Sequence, residues 1–233
     1  LAWSISNYIT STYTRLRHRE RLLRYLPTEL VEAVEQGKVD IEPGGERRNV
    51  TVLMADIRNF TQLCEKNEPE VVTRLLNRYF AEMSDIIFVH DGMIDKFIGD
   101  AAMILFEGES AAARSLGCVD DLLAELKDWG RERQAEGREP VRVGIGLHLG
   151  EVFSGVVGDA QRLEYSVFGD TVNTAARLEE LTKSAGVDVI ASAAVLQAAG
   201  SEPAREGWSA LPTEHLRGRS SWVEIFGRGA LEG

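Results

Sequence analysis

Two aspartates stand at the ends of short apolar segments, an arrangement that could bind a divalent cation. Asp56 follows the apolar segment Val50–Ala55, which has the length of a buried strand. Asp100 follows Gly99 at the predicted tip of a β-hairpin, with residues 101–106 returning as a buried strand. Two such carboxylates side by side would form an all-oxygen site suited to Mg²⁺. Taken singly, each aspartate is equally compatible with an ordinary turn, where Asp is common.

A second group of polar residues lies downstream, on a predicted helix. Asp170 or Thr171 is predicted to cap this helix, on which Asn173 and Arg177 are four residues apart and therefore share one face. Such a pair could bind a ligand together. Without further context the same spacing is more typical of a solvated helix surface.

The charge of the chain limits the ligands that these residues could bind. The formal net charge is −11, which argues against non-specific DNA or RNA binding, because that needs a basic face. A polyanionic substrate would have to be held by metal and by local basic residues. The segment Leu216–Arg219, which contains Arg217, is a basic loop that could hold a terminal phosphate, or else a simple surface turn.

Composition predicts a domain from a reducing compartment. Hydrophobic residues make up 44% and charged residues 27% of the 233 residues, which is ordinary for a soluble globular protein. Cys64 and Cys118 provide neither a disulfide framework nor a CxxC metal knuckle, so a cytoplasmic location is expected. No run approaches the roughly 18 apolar residues of a membrane span. The chain begins at Leu1, so we expect a piece of a longer protein, whose membrane anchorage is left open.

Four segments are predicted along the chain. Residues 1–26 carry apolar residues at alternating spacings of four and three, typical of a coiled-coil signalling helix that needs a partner. Residues 27–46 form a short helix and a linker rich in Pro and Gly. Residues 47–227 form the main domain, and residues 228–233 a tail.

The element order within the main domain predicts its fold class. Strands and helices alternate so as to indicate an α+β, ferredoxin-like sandwich, with a mostly antiparallel sheet and helices on one face. The predicted elements are strand 49–56, helices 60–66 and 68–89, hairpin 93–106, helix 109–136, strands 141–149 and 152–157 joined by a turn at Gly150-Glu151, helix 171–185, strand 187–190, helix 192–199 and two late strands.

Together these segments resemble the catalytic domain of class III nucleotidyl cyclases, and the bacterial adenylyl cyclases in particular. The resemblance covers the main domain and places at least four motifs in the order of that family. It implies that Asp56 and Asp100 hold two Mg²⁺ or Mn²⁺ ions per active site, with help from the backbone carbonyl of Ile57. It also implies that the β- and γ-phosphates lie on the backbone amides that open the next helix, those of Asn59, Phe60 and Thr61. Unpaired amides at a helix start favour anions.

The resemblance also assigns roles to the downstream polar residues. Asn173 and Arg177 match the pair that orients the ribose and stabilises the charged α-phosphate in the transition state. Arg217 matches a lysine of the family that binds the terminal phosphate, and the change to arginine keeps the charge. Arg142 matches a phosphate-facing basic residue in some members.

Two positions of the resemblance concern the base of the nucleotide. Lys96 occupies the first base-reading position, where guanylyl cyclases typically carry Glu, and it can only donate hydrogen bonds, which suits adenine N1. Ser166 occupies the second, where many adenylyl cyclases carry Asp and a bacterial subgroup carries Thr. A hydroxyl both donates and accepts. The resemblance therefore favours ATP over GTP, with a departure at Ser166.

The implied reaction is an intramolecular phosphoryl transfer. The ribose 3′-hydroxyl of ATP attacks the α-phosphorus, and pyrophosphate leaves. By the resemblance, a homodimer would hold two composite active sites, and an upstream sensor would control them. The alternatives are a guanylyl cyclase and a catalytically silent module that dimerises or binds nucleotide. A silent copy should have lost one of the four central side chains, and all are present: Asp56, Asp100, Asn173 and Arg177.

Overall fold

The computed structural model describes residues 44–158, 163–202, 206–214 and 222–229, which form eight strands and five helices. In chain order the elements are β1 (Gly44–Ile57), α1 (Phe60–Lys66), α2 (Pro69–Val89), β2 (Met93–Ile98), β3 (Ala101–Phe106), α3 (Ala111–Ala135), β4 (Val143–Gly158), β5 (Leu163–Phe168), α4 (Asp170–Ala185), β6 (Val189–Ser192), α5 (Ala193–Ala199), β7 (Ser209–Glu214) and β8 (Val223–Arg228).

The strands form one mixed sheet. Its order is β2-β3-β1-β4-β6-β8-β7, and β5 pairs with β4 outside this path. β3 runs antiparallel to both β1 and β2, and β8 runs antiparallel to both β6 and β7. β4 and β6 are parallel. The predicted α+β class with a mostly antiparallel sheet is therefore confirmed.

The described residues divide into two compact units. The smaller unit contains residues 44–45, 155–158 and 163–166, and the larger unit contains the rest. Within the smaller unit the backbone approaches closely, since a Cβ on Gly155 would lie 2.5 Å from the Cα of Gly45. Only glycine fits there. Of the predicted site residues that the structure describes, Ser166 belongs to the smaller unit and the others to the larger one.

The main core of the larger unit lies between the sheet and helices α2, α3 and α5. α2 begins at Pro69, in the first turn, where a missing amide hydrogen costs nothing. Its buried residues recur at intervals of three and four and form one apolar stripe: Val72, Leu75, Tyr79, Met83 and Ile87. All but Val72 belong to the same core as buried strand residues such as Leu53, Ile104 and Ile145.

A second, smaller core lies on the opposite face of the sheet. It contains Leu178 of α4 together with Ile190, Val223 and Ile225. Its strand residue Ile190 alternates with Val189 and Ala191, which belong to the main core. α4 therefore packs on the face opposite to the other helices. The expectation that all helices lie on one face needs this correction.

The predicted turn at Gly150-Glu151 is wrong, because β4 runs without interruption through both residues. The glycine serves another purpose, since a Cβ on Gly150 would lie 2.6 Å from the Thr171 hydroxyl. That hydroxyl donates a hydrogen bond to the Glu151 carbonyl at 2.6 Å. Gly150 thus lets the start of α4 approach the strand. The actual hairpin partner of β4 is β5, a strand that the sequence analysis did not predict.

The remaining boundaries agree with the predictions within two residues, apart from the start of β1 and the cap of α4. β1 begins at Gly44, so residues 44–46 are strand and not linker. The N-cap of α4 is Gly169, and neither Asp170 nor Thr171 occupies that position. β8 includes Arg228, the first residue of the predicted tail. The predicted coiled-coil arm and short helix lie outside the described residues. Among the described helices none is long and apolar enough to cross a membrane.

Candidate active site

Asp56 and Asp100 meet at one end of the sheet, as the sequence predicts. The pairing of β1 with β3 places Ala55 opposite Ala102, and Asp100 occupies the turn that leads into β3. The two carboxyl groups are close enough to share a hydrogen bond. Burial, that hydrogen bond and the charge of Asp56 raise the pKa of Asp100 to about 7. A pair of carboxylates that resists full ionisation is one that a cation would stabilise.

Backbone amides donate hydrogen bonds to this carboxylate pair but do not balance its negative charge. The amides of Ile57 and of Asp100 itself donate to the Asp100 carboxylate and partly oppose the rise of its pKa. The Oδ1 atom of Asp56 is buried and accepts no hydrogen bond from the part of the chain that the structure describes. Since buried polar atoms are almost always satisfied, this oxygen calls for a ligand.

The donor set at this sheet end fits Mg²⁺ or Mn²⁺. In the described ranges, no group of three or more His, Cys, Asp or Glu side chains could hold a metal. The protein would thus contribute two carboxylates and a backbone carbonyl, leaving the other positions to water and to phosphate oxygens. Mg²⁺ usually binds in this way, through one or two carboxylates together with substrate phosphates.

The turn after Asp56 leads directly into α1 and carries the predicted phosphate-binding residues. Asn59 adopts a left-handed conformation with φ of 57°, and its carbonyl accepts the Leu63 amide at 3.1 Å. Asn59 and Thr61 are exposed, and Phe60 is half-buried. The start of α1 is thus open to solvent beside the carboxylate pair.

Arg142 lies next to this turn at the entry to β4. Its side chain is exposed, and its backbone carbonyl accepts the Arg58 amide at 2.8 Å. Burial raises the pKa of the nearby Asp188 carboxyl, and the charges of Arg58 and Arg142 partly offset this rise. Arg142 therefore brings a positive charge close to the segment that follows Asp56.

Two further ionisable residues surround the carboxylates, and the sequence analysis did not identify them. Glu179 of α4 is half-buried, and its pKa is raised to about 7 by burial first and then by the charge of Asp56. Tyr79 of α2 is fully buried, and burial together with the charges of Asp56 and Asp100 raises its pKa well above the ordinary value. The Tyr79 hydroxyl therefore stays protonated and neutral. A signal in the sequence that could have identified Glu179 is its place directly after Leu178, a residue of the buried face of α4.

The two base-reading candidates lie on different strands. Lys96 is half-buried on β2, and its Nζ lies 3.4 Å from the Oδ2 of the buried Asp95. The register between β2 and β3 shifts between Ile94 and Lys96, as in a β-bulge. Ser166 is half-buried on β5, in the smaller unit. Their joint contact with a base stays a prediction.

The predicted transition-state pair lies on the outer face of α4. Asn173 and Arg177 are both exposed and one turn apart, whereas Ala175 and Leu178 between them are buried. Within the described ranges, no hydrogen bond or ion pair joins either residue to Asp56 or Asp100. The two aspartates lie near Glu179 instead. A common site of Asn173 and Arg177 with the carboxylates stays a prediction. Arg217 lies outside the described residues.

Comparison with known proteins identifies the family of this chain. The family described as adenylate and guanylate cyclase catalytic domain matches residues 43–220. An uncharacterised protein of Mycobacterium tuberculosis is 36% identical over 214 residues, covering 90% of this chain and 38% of that protein. Adenylate cyclase 1 of Rhizobium meliloti is 33% identical over 210 residues, covering 87% of this chain and 30% of that protein.

Solved structures show the same fold. A bacterial light-regulated adenylyl cyclase superimposes with a TM-score of 0.83 at 26% identity, covering 95% of this chain and 64% of that one. The chain spans well under half the length of the curated relatives it matches, 38% and 30%. Its sequence, its fold and its paired aspartates all lead to one assignment. The chain belongs to the family of adenylate and guanylate cyclase catalytic domains.

Proposed function

We propose that this domain is an adenylyl cyclase that converts ATP to 3′,5′-cyclic AMP and pyrophosphate. The observation that carries the proposal is the meeting of Asp56 and Asp100 at one sheet end, with a buried carboxylate oxygen that lacks a partner among the described residues. Adenylyl cyclases among the relatives and solved structures support the choice of reaction. The light-regulated cyclase is longer than the matched part, which fits an output domain under the control of a sensor.

The cation-binding residues are Asp56, Asp100 and the carbonyl of Ile57, and they would hold two Mg²⁺ or Mn²⁺ ions. When bound, these ions would make the ribose 3′-hydroxyl more acidic and neutralise charge on the departing pyrophosphate. The protein's part is to keep two carboxylates ionised side by side. Without a cation, their mutual repulsion disfavours the state in which both are ionised. A bound cation removes this repulsion, so the pair binds it strongly.

The phosphate-binding residues are the amides of Asn59, Phe60 and Thr61, together with Arg142 and Arg217. The exposed start of α1 beside Asp56 supports this role, because free amides and the positive helix end attract anions. Arg142 would add a positive charge from the neighbouring β4 entry. Arg217 stays a proposal from the family resemblance alone.

Asn173 and Arg177 would orient the ribose and stabilise the charge that develops on the α-phosphate. Both are exposed on α4 and do not contact the carboxylates of their own chain among the described contacts. We therefore propose that a second copy supplies them, so that a homodimer holds two composite sites. Asp56 and Asp100 would come from one protomer, and Lys96, Ser166, Asn173, Arg177 and Arg217 from its partner.

Lys96 and Ser166 would read the base. Lys96 can only donate, which suits adenine N1, and the Ser166 hydroxyl can accept from the exocyclic amine of adenine. GTP would present a donor where Lys96 needs an acceptor. A hydroxyl discriminates less sharply than a carboxylate, so the preference for ATP should be modest.

The direct test incubates the protein with ATP or GTP and with Mg²⁺ or Mn²⁺, and identifies the cyclic product by chromatography and mass spectrometry. We expect mainly cyclic AMP, and Asp56→Ala or Asp100→Ala should lower the rate about 10³-fold or more. A predominance of cyclic GMP would overturn the assignment of Lys96 and Ser166. Absence of any product with a folded wild type would instead indicate a silent module.

The composite site is tested by mixing inactive variants. Asp56→Ala and Arg177→Ala should each be nearly inactive, but in a mixed dimer one site collects both lesions and the other none. At equal amounts and random exchange, activity should recover to about a quarter of wild type by this symmetry. The matched control mixes Asp56→Ala with Asp100→Ala, which leaves each site without one carboxylate and should recover nothing. Failure of the first mixture, with chain exchange shown independently, would place the site within one protomer.

A further inference from the structure

We propose that Arg58 and Glu179 are a positioning pair that holds the cation-binding turn, residues 56–59, against α4 and so sets the affinity of the site for divalent cations. The inference rests on the proposed function, because it takes Asp56, Ile57 and Asp100 as the cation ligands. Neither residue of the pair needs to touch the cation or the nucleotide. Their role would be to keep the ligands of the turn in place.

The side chain of Arg58 reaches away from the turn and bridges two other elements. Its Nη1 lies 3.8 Å from Oε1 of Glu179 on α4. Its Nη2 donates to the hydroxyl of Thr182, one turn further along α4, and to the carbonyl of Val187 at 3.4 Å, just before β6. The side chains of Arg58 and Glu179 are only 11% and 12% exposed. A planar guanidinium can serve several acceptors at once, which a lysine cannot.

The backbone of Arg58 is held as well. Its amide donates to the Arg142 carbonyl at 2.8 Å, so both ends of the residue are fixed. The preceding residue, Ile57, donates its amide to Asp100. Because Arg58 directly follows Ile57, its fixed side chain and amide restrain the backbone beside the Ile57 carbonyl and the Asp56 carboxylate.

Two glycines of β4 make the space that this pair occupies. A Cβ on Gly144 would lie 2.6 Å from the Arg58 Cζ, and closer still to Glu179 Oε1. A Cβ on Gly146 would lie 2.9 Å from the Glu179 Cα. The strand therefore has no side chain at the two positions where α4 and the guanidinium approach it. These glycines are an observation independent of the ion pair, and they show a site shaped around it.

The charge of the pair also suits its location. Glu179 lies close enough to Asp56 and Asp100 for their charges to act on it. Glu179 is the third acidic group in this region, and the positive charge of Arg58 partly compensates for it. The simpler alternative is a buried ion pair that only attaches α4 to the sheet. The two roles differ in what they predict for the cation site, since a merely structural pair would leave cation affinity unchanged in a folded variant.

The test compares Arg58→Lys and the double variant Arg58→Met/Glu179→Met with the wild type. Lysine keeps the charge but cannot bridge three acceptors, and the double variant leaves no unpaired buried charge that would prevent folding. Mn²⁺ binding is titrated by electron paramagnetic resonance in the presence of 3′-deoxy-ATP, which cannot cyclise. We expect both variants to fold and to bind Mn²⁺ about 10- to 100-fold more weakly. Their kcat should recover in part as Mn²⁺ is raised.

A matched control is Arg48→Met, which removes a half-buried arginine of β1. Arg48 pairs with Glu107 at 3.2 Å, with side-chain exposures of 33% and 34%, and lies at the other end of the strand. Its loss should leave Mn²⁺ binding unchanged. Wild-type Mn²⁺ affinity in folded Arg58→Lys would overturn the positioning role. Wild-type affinity in the double variant would also overturn it, and would show that the two residues only balance each other's charge.

The same measurements separate this inference from the proposed activity. If the wild type binds Mn²⁺ but makes no cyclic nucleotide, the proposed activity fails, while weaker Mn²⁺ binding by the variants still supports the positioning role. If the variants bind Mn²⁺ normally but the wild type makes cyclic AMP, only the positioning role fails. A wild type that binds no Mn²⁺ would overturn both.

Discussion

Replacing Asp100 by asparagine should stabilise the cation-free protein while it abolishes the proposed activity. Asp100 and Asp56 share a hydrogen bond in a partly buried position, and the pKa of Asp100 is raised to about 7. Asparagine keeps the size of the side chain but removes one of the two competing carboxylates. The repulsion between them then disappears, and with it one ligand of the cation site.

The expected gain follows from the displacement of this pKa. A change from the ordinary 3.8 to about 7 corresponds to at most about 4 kcal/mol of folding free energy. Asp100 is only half-buried, so solvent screens the interaction, and we expect about 1–2 kcal/mol. Because the pKa is raised on folding, the cost to the wild type is full above about pH 7 and is lost as the pH falls toward 3.8.

The assay is thermal or urea unfolding in the presence of EDTA at pH 8 and at pH 5. At pH 8 the variant should unfold about 2–8 °C above the wild type, which is the range expected for 1–2 kcal/mol in a domain of this size. At pH 5 most of the difference should vanish. Mg²⁺ should then stabilise the wild type, because it binds the folded state, and should have little effect on the variant.

Asp85→Asn is the matched control, since Asp85 is an exposed residue of α2. This substitution should change the unfolding free energy by no more than about 0.5 kcal/mol at either pH. A variant at Asp100 that is no more stable than the wild type at pH 8 in EDTA would refute the argument. The two carboxylates would then not repel each other in solution, and the main reason to place a cation between them would be lost.

Three further predictions concern other parts of the chain. Lys96→Glu combined with Ser166→Cys should shift the ratio of cyclic AMP to cyclic GMP toward cyclic GMP in a competition assay, because the new carboxylate accepts from guanine; an unchanged ratio would count against the base-reading assignment. At pH 7.5, a maleimide should label the exposed Cys64 and spare Cys118, which is buried and whose pKa is raised to about 12 by burial and by a nearby carboxylate; equal labelling of the native protein would contradict this burial. Asn59→Val should lower the unfolding free energy by about 1–2 kcal/mol, since a β-branched residue resists the left-handed conformation, whereas Asn59→Gly should not.

The carboxylate pair could be predicted because its signal is local. Asp56 follows an apolar run of strand length, and Asp100 lies at the tip of the hairpin that β2 and β3 form. The exposed Asn173 and Arg177 were predicted for the same reason, since their spacing of four decides that they share a helix face. For the helix pair the distance along the chain is enough to set the geometry, whereas the meeting of the two carboxylates also depends on the pairing of β1 with β3.

The parts that failed depend on contacts between distant segments. Gly150 was interpreted as a turn, but its role is to let Thr171 reach the strand, and no local pattern distinguishes these two uses of glycine. β5 was missed although residues 163–166 alternate apolar and polar side chains, because the return strand was placed at residues 152–157, which belong to β4 itself. Arg58 and Glu179 were missed because their partnership spans more than a hundred residues, and each alone looks like a surface charge.

Gly144 and Gly146 have a consequence for how the sequence can vary. Neither glycine would touch the nucleotide, yet any side chain there would meet Arg58 or the backbone of α4. In a survey of all single substitutions scored for cyclase output, these two positions should tolerate change as poorly as the carboxylates themselves, and the neighbouring Ile145 should accept other aliphatic residues. Such a profile would show that the absence of a side chain at these two positions of β4 is a requirement of the site. Distant relatives could then be divided into those that keep both glycines, and with them the close approach of helix to sheet, and those that do not.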